Sequence, residues 1–308
     1  MFFRRHVVRK IPLKPCSTGE TCYEVPPYVF TCQFCRFHKC VQVGMTIEPL
    51  LQKTCLQTLI QSISAANFNR NYLLLNSYPV DLCYTVDKLI HENCINYSPQ
   101  SMFSHLNFQS WTYIITVSTI DFMKQFGFIY LSKPLDQSII LKAYFVKVAC
   151  FCAAYQAYSN KLPVILFPDG SDILPSFQEK AKVGHLNTEL LATRVRSRLV
   201  TKLNELQITN EEFLLVLVIL FSNSAMPDLS ETGRLLLSSY RNYYTSSLFE
   251  YCMVNYQRYA PTRFAELLSI SNVVAKHYED VNRFFVLLQL NCPDFQMSPI
   301  VKEGLDLL

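Results

Sequence analysis

The chain has little glycine, seven residues in 308, against the ~7% usual in globular proteins. So few leave little room for the positive-φ turns of a many-stranded β fold, and long helices are expected instead. No uninterrupted apolar run exceeds "FLLVLVILF" at 213–221, far short of the ~20 residues a bilayer-spanning helix requires. No membrane partner is expected. No apolar stretch follows the basic start as it would in a secretory signal. Cysteines such as Cys150 and Cys152 lie in apolar runs, so reduced thiols in a reducing compartment are expected. A glycine-rich phosphate loop, an H-E-x-x-H pair and a nucleophile-elbow serine are all missing, and no enzyme is expected. Charge is scarce at 17%, while half the residues are apolar or aromatic. Such a composition builds a globular core.

The charge that is present sits unevenly. Positions 1–45 hold Arg4, Arg5, Arg9, Lys10, Lys14, Arg36 and Lys39 against Glu20 and Glu24, a net +5 that leaves −1 for the rest of a +4 chain. A compact basic segment on a near-neutral body suits a polyanion-binding module, or else a solvated basic tail. The cysteines favour the module. Cys16, Cys22, Cys32 and Cys35 follow the spacing C-x5-C-x9-C-x2-C, and four thiolates close a tetrahedral structural zinc site. One Zn2+ is expected. Cys32 and Cys35 open a helix on which Phe34, Phe37 and Val41 share one face. Cys40 on that helix reads as core, and His38 as a surface residue.

Beyond this module, 47–77 reads as a polar connector, frayed or partly helical. From Tyr78 onward the pattern is helical, punctuated by proline. The stretches 136–158 and 211–221 are apolar on nearly every side, so each belongs in a middle layer with helices on both faces. Amphipathic helices are expected over 108–127, 179–205, 231–258 and 262–290. A small hairpin is expected within 162–175, turning at Asp169-Gly170. The fold class is mostly α: a three-layer α-helical sandwich with one small β-hairpin, preceded by a small zinc-binding helical module.

The run "CRFHKCVQVGM" at 35–45, with the cysteine spacing, resembles the second zinc module of the nuclear hormone receptor DNA-binding domain. "FFRR" at 2–5 is similar to the middle of that family's recognition helix. The resemblance implies that Phe2 and Phe3 are core and that Arg4 and Arg5, with Arg36 and Lys39, face DNA. Arginine suits that role because its planar fork grips guanine edges or phosphate in pairs of hydrogen bonds. The family places a first four-cysteine site before this helix, and 23–31 carries no lysine or arginine. An N-terminally truncated module with weak or lost DNA binding is therefore expected, since each phosphate contact contributes to affinity.

"FMKQFGFIYLSKPLDQSIILKA" at 122–143 resembles the family's ligand-binding-domain signature. "LSETGRLLLSSYRNYYTSSLFEYC" and "APTRFAELLSIS" are similar to late helices of its divergent nematode-type members. The implied domains are a partial DNA-binding domain at 1–46, a hinge at 47–77 and a ligand-binding domain at 78–308. By the same resemblance Lys124, Lys142 and Glu303 form the charge clamp that holds an L-x-x-L-L coregulator helix, although each lysine also fits a solvated helix rim. A glutamate suits the free N–H end of such a helix, and a lysine its free carbonyl end. Gly304 in "IVKEGL" is expected to weaken docking of the terminal helix. Phe151, Tyr155 and Phe167 are candidates for lining a small apolar ligand pocket, or are plain core. Arg263 and Glu266 read as salt-bridge residues on a dimerisation helix. The implied function is a nuclear-receptor-type transcription factor, ligand-regulated or orphan, acting in the nucleus as a homo- or heterodimer. The alternatives are a receptor-like interaction or dimerisation partner that does not bind DNA specifically, and a small-molecule carrier on the same sandwich.

Overall fold

The computed structural model describes residues 2–20, 22–23, 31–51, 55–92, 94–99, 106–175 and 185–305. Helix starts follow local capping chemistry. Asn107 accepts from the Ser110 amide to open α6, and Ser230 accepts from the Gly233 amide to open α11. Thr209 and Glu212 form a reciprocal capping box at α10, and Pro134 stands in the first turn of α8. These side chains satisfy amides that a helix start leaves without partners, and proline there removes one of them. The helical body comprises α4 (Leu56–Asn76), α5 (Val86–His91), α6 (Phe108–Lys124), α7 (Gly127–Tyr130), α8 (Pro134–Ser159), α9 (His185–Leu206), α10 (Asn210–Phe221), α11 (Glu231–Tyr256), α12 (Ala260–Asn291) and α13 (Pro299–Lys302). Before it lie α1 (Phe2–Val8), α2 (Gln33–Gln42) and α3 (Glu48–Leu51).

The two all-round apolar stretches are the middle of a three-layer sandwich. Every residue from Glu212 to Phe221 on α10 is buried, and α10 packs against α4, α8, α11 and α12. Helix α8 touches α5, α6, α9, α10 and α12. By length and composition alone α8 is apolar enough to cross a membrane, yet its polar residues are tied into the protein. Asp136 accepts from the Ser230 amide (2.8 Å) and hydroxyl (2.6 Å), and the Lys147 ammonium lies 4.4 Å from the Tyr278 ring centroid. It is a core helix. Buried Glu212 is matched by Arg263, at 2.7 and 2.5 Å, while Glu266 sits 3.7 Å from the same guanidinium. Both expected salt-bridge residues therefore pair, although the stronger partner, Glu212, lies on another helix.

The structure decides one expectation about organisation and corrects another. Of the two readings of 47–77, frayed or partly helical, it takes the helical one, since the stretch contains the 21-residue α4. Leu59, Ile60 and Ile63 are buried there, and α4 packs on α6 and α10. With neither glycine nor proline in the way, α4 docks through these residues, with Leu56, Ala66 and Leu74 partly buried beside them. The hairpin at 162–175 reduces to an isolated bridge between Leu166 and Asp172, with Gly170 at φ 84° in the turn. Pro163 and Pro168 remove backbone donors on that side of the turn, so a ladder cannot extend. The two-stranded antiparallel sheet lies elsewhere, β1 (Ser77–Pro79) pairing with β2 (Tyr97–Pro99). The remaining helical expectations correspond to α6, α8, α9, α10, α11 and α12; positions 179–184, the expected start of α9, lie outside the described residues.

Candidate metal centre and helix-binding groove

Cys16 and Cys22 lie in the turns before α2, Cys32 is the residue that caps α2, and Cys35 is in its first turn. Their four sulfurs lie within 4.8 Å of one another, with Cys16 Sγ 3.5 Å from both Cys22 Sγ and Cys35 Sγ. A tetrahedral zinc–thiolate shell separates its sulfurs by about 3.8 Å, so the cluster fits one zinc ion. Burial raises the Cys32 and Cys35 thiols above their ordinary value. At Cys16 burial acts in the same direction, but hydrogen bonds from the Thr18 hydroxyl and amide outweigh it and bring that thiol down to about 6. Bound zinc would hold the four as thiolates and tie the turn to α2. Cys40 stands outside the cluster, half-buried.

Phe3 stacks on Phe37 at 5.0 Å between ring centroids, joining α1 to α2, and both are buried. Phe2 is only partly buried, its ring covered by the Arg36 guanidinium at 4.6 Å. Arg4, Arg5, Arg36 and Lys39 are all exposed, and none forms a salt bridge with another described residue. Positions 24–30, where basic residues are absent, lie outside the described residues. His38 is not a surface residue: it is 4% exposed beside Phe34 and Phe37, and neither ring nitrogen has a partner among the described residues. Four residues on from Phe34, the helical period places it on the packed face of α2. Burial, and secondarily the charge of Lys133, draw its pKa down to about 4.

In the helical body, Lys124 ends α6, Lys142 lies on α8 and Glu303 follows α13. All three meet at α5. Lys124 Nζ donates to the Leu89 carbonyl and, at 2.7 Å, to the Glu92 carbonyl. Glu303 accepts from the Val86 amide at 3.1 Å and pairs with Lys142 at 3.1 Å. Lys142 also reaches Asp87 on α5 at 3.3 Å. Burial lowers the pKa of Lys124, an effect that Asp121 and Glu92 partly offset. The three residues that the resemblance assigned to a clamp thus converge on α5, a helix that sequence reasoning missed. Thr85 as a cap and the apolar spacing Val86, Leu89, Ile90 were its signal.

Gly304 does not weaken the docking of the terminal segment. Ile300, Val301 and Leu305 are buried, and the Tyr278 hydroxyl donates to the Gly304 carbonyl at 2.8 Å. A Cβ at Gly304 would fall 2.1 Å from the Phe145 ring, so glycine is what admits the close approach.

Beneath this segment lies an apolar cavity of about 130 Å³, lined by residues that include Thr116, Phe145, Cys150, Phe167, His277 and Leu305. A second cavity of about 370 Å³ shares Ile115, Ala149, Ala153, Phe167 and Ile173 with it. His277 is 1% exposed, with both ring nitrogens unpartnered. Burial, and secondarily Arg198, pull its pKa down to about 4 against the pull of Asp280. Of the expected lining residues Phe167 is present, whereas Phe151 and Tyr155 pack on Phe213 of α10.

A family model described as the ligand-binding domain of nuclear hormone receptor matches residues 96–290, and one described as a double treble clef zinc finger, C4 type, matches residues 1–47. The chain is 40% identical to nuclear hormone receptor family member nhr-167 of Caenorhabditis elegans, over 99% of this chain and 90% of that protein. With nhr-27 of the same organism it shares 34% identity over 100% of this chain and 86% of that protein. With nhr-9 it shares 31%, over 98% and 88% respectively.

Proposed function

The chain belongs to the nuclear hormone receptor family, whose members are transcription factors and not enzymes, and on that premise we propose that its helical body holds a coregulator helix in the groove between Lys124 and Glu303. The observation that carries this reading is the placement of a cation and an anion at opposite ends of the short helix α5, whose Val86 and Leu89 are buried between them. A short helix presents free carbonyls to the first and free amides to the second, and its apolar face enters between them. The zinc module works in the nucleus, its exposed Arg4, Arg5, Arg36 and Lys39 meeting DNA. The cavity takes a small apolar ligand, with His277 offering one hydrogen bond. The exposed Phe249, Met253 and Val254 on α11, where Phe249 also packs on Phe264 of α12, support a dimer contact on that face.

The test is fluorescence anisotropy of a labelled L-x-x-L-L peptide titrated to saturation with the full chain. Lys124→Ala is expected to weaken binding at least tenfold. Unchanged affinity removes the groove from the function.

A further inference from the structure

A helix of six residues does not hold together alone, so what fixes α5 identifies its place. Its N-terminal amide, on Val86, donates to Glu303, and the carbonyls at its other end, on Leu89 and Glu92, accept from Lys124. Val86 and Leu89 have no measurable exposure and Ile90 is half-buried. These three positions have the spacing Φ-x-x-Φ-Φ, and L-x-x-L-L is one instance of that pattern. The polar residues of α5 face the rim: Asp87 accepts from Ser138 at 2.7 Å and pairs with Lys142, while Lys88 pairs with Asp81. Charge, spacing and both end contacts are those assigned above to an incoming coregulator helix. Helix α5 lies between Glu303 and Lys124, in the place such a helix would take.

We infer that α5 is a built-in competitor that occupies the coregulator groove in cis, so that a coregulator helix binds only when α5 is displaced. The inference rests on the proposed function of that groove. Strands β1 and β2 pair on either side of α5, with Ser77 opposite Pro99 and Pro79 opposite Tyr97, and the Val80 amide extends the pairing to the Asn96 carbonyl at 3.0 Å. This clasp keeps α5 beside the groove even when it is out of it. A tethered segment acts at an effective concentration in the millimolar range, so even weak intrinsic contacts exclude a dilute partner. Displacing α5 leaves Lys124 and Glu303 in place to receive the ends of the replacement.

The experiment compares the unmodified full chain with Val86→Ser/Leu89→Ser, using the labelled L-x-x-L-L peptide and circular dichroism to check folding. The variant is expected to bind the peptide at least tenfold more tightly, and adding Lys124→Ala is expected to reverse the gain. Equal, Lys124-dependent affinity in both forms overturns the competition and leaves the groove's proposed function standing. No binding in either form removes that function, and this inference with it. Should the variant not fold, hydrogen exchange on the unmodified chain decides. Saturating peptide should accelerate exchange of the α5 amides at least tenfold, and unchanged protection overturns the inference.

Discussion

The zinc module and the helical body use their cations in opposite ways. In the module, Arg4, Arg5 and Lys39 are exposed and Arg36, also exposed, lies over the Phe2 ring, while a small set of rings, Phe3, Phe34 and Phe37, is buried. In the body, Lys124, Lys142 and Arg263 are all engaged internally, with backbone carbonyls, Asp87 and Glu303, and Glu212. The difference follows from core size. Helices α1 and α2 contribute few buried side chains of their own, and the cysteine cluster rather than an ion pair ties the turn to α2. The body has apolar surface to spare, and its charges arrange helix ends against one another. A cation's role here depends on what lies within reach, which its identity does not reveal.

The sharpest way to break the comparison is to remove the metal. Native mass spectrometry should find one zinc per chain, and Cys32→Ser/Cys35→Ser should abolish it and disorder α1 and α2, since structural zinc sites contribute on the order of 10 kcal/mol. Thermal melting of the helical body should shift little. One zinc retained per chain would remove the four-cysteine assignment, and collapse of the body would erase the contrast between the two regions. Next in size is Gly304→Ala, which drives a methyl into Phe145 and should cost about 1–3 kcal/mol in denaturant unfolding, as overpacking does. A neutral result would mean that the terminal segment docks without that close approach. The smallest effect on stability belongs to Arg4→Ala/Arg5→Ala, within about 0.5 kcal/mol because both side chains are exposed. The same pair should lower the slope of log affinity for duplex DNA against log salt by about 2. An unchanged slope would show that these arginines meet no phosphate.

Much of this site was legible in the residues, and the exceptions share a cause. The four cysteines were readable because metal ligation demands residue types at close spacing, and the sulfurs do converge. Long helices were readable because a periodic apolar face repeats many times over α6, α11 or α12. Helix α5 has six residues, too short for periodicity to register, and α4 leaves Phe68, Tyr72 and Leu75 exposed, so that no single apolar face marks it as a docked helix. Gly304 looked like a weakness because helix propensity is local, whereas its benefit comes from Phe145, far away in the chain.

The sequence by itself determined the cysteine cluster, the long helices α6, α8, α10, α11 and α12, and the two apolar stretches that had to be interior, because each is written in residue type and spacing along a single stretch of chain. Only the tertiary structure decided what fills the groove. The ends of α5 are satisfied across 217 residues, from Val86 to Glu303, and across 32, from Glu92 to Lys124. No local pattern encodes a hydrogen bond over such separations. It exists because α6, α8 and α13 pack around one core and bring their charged ends to the same place.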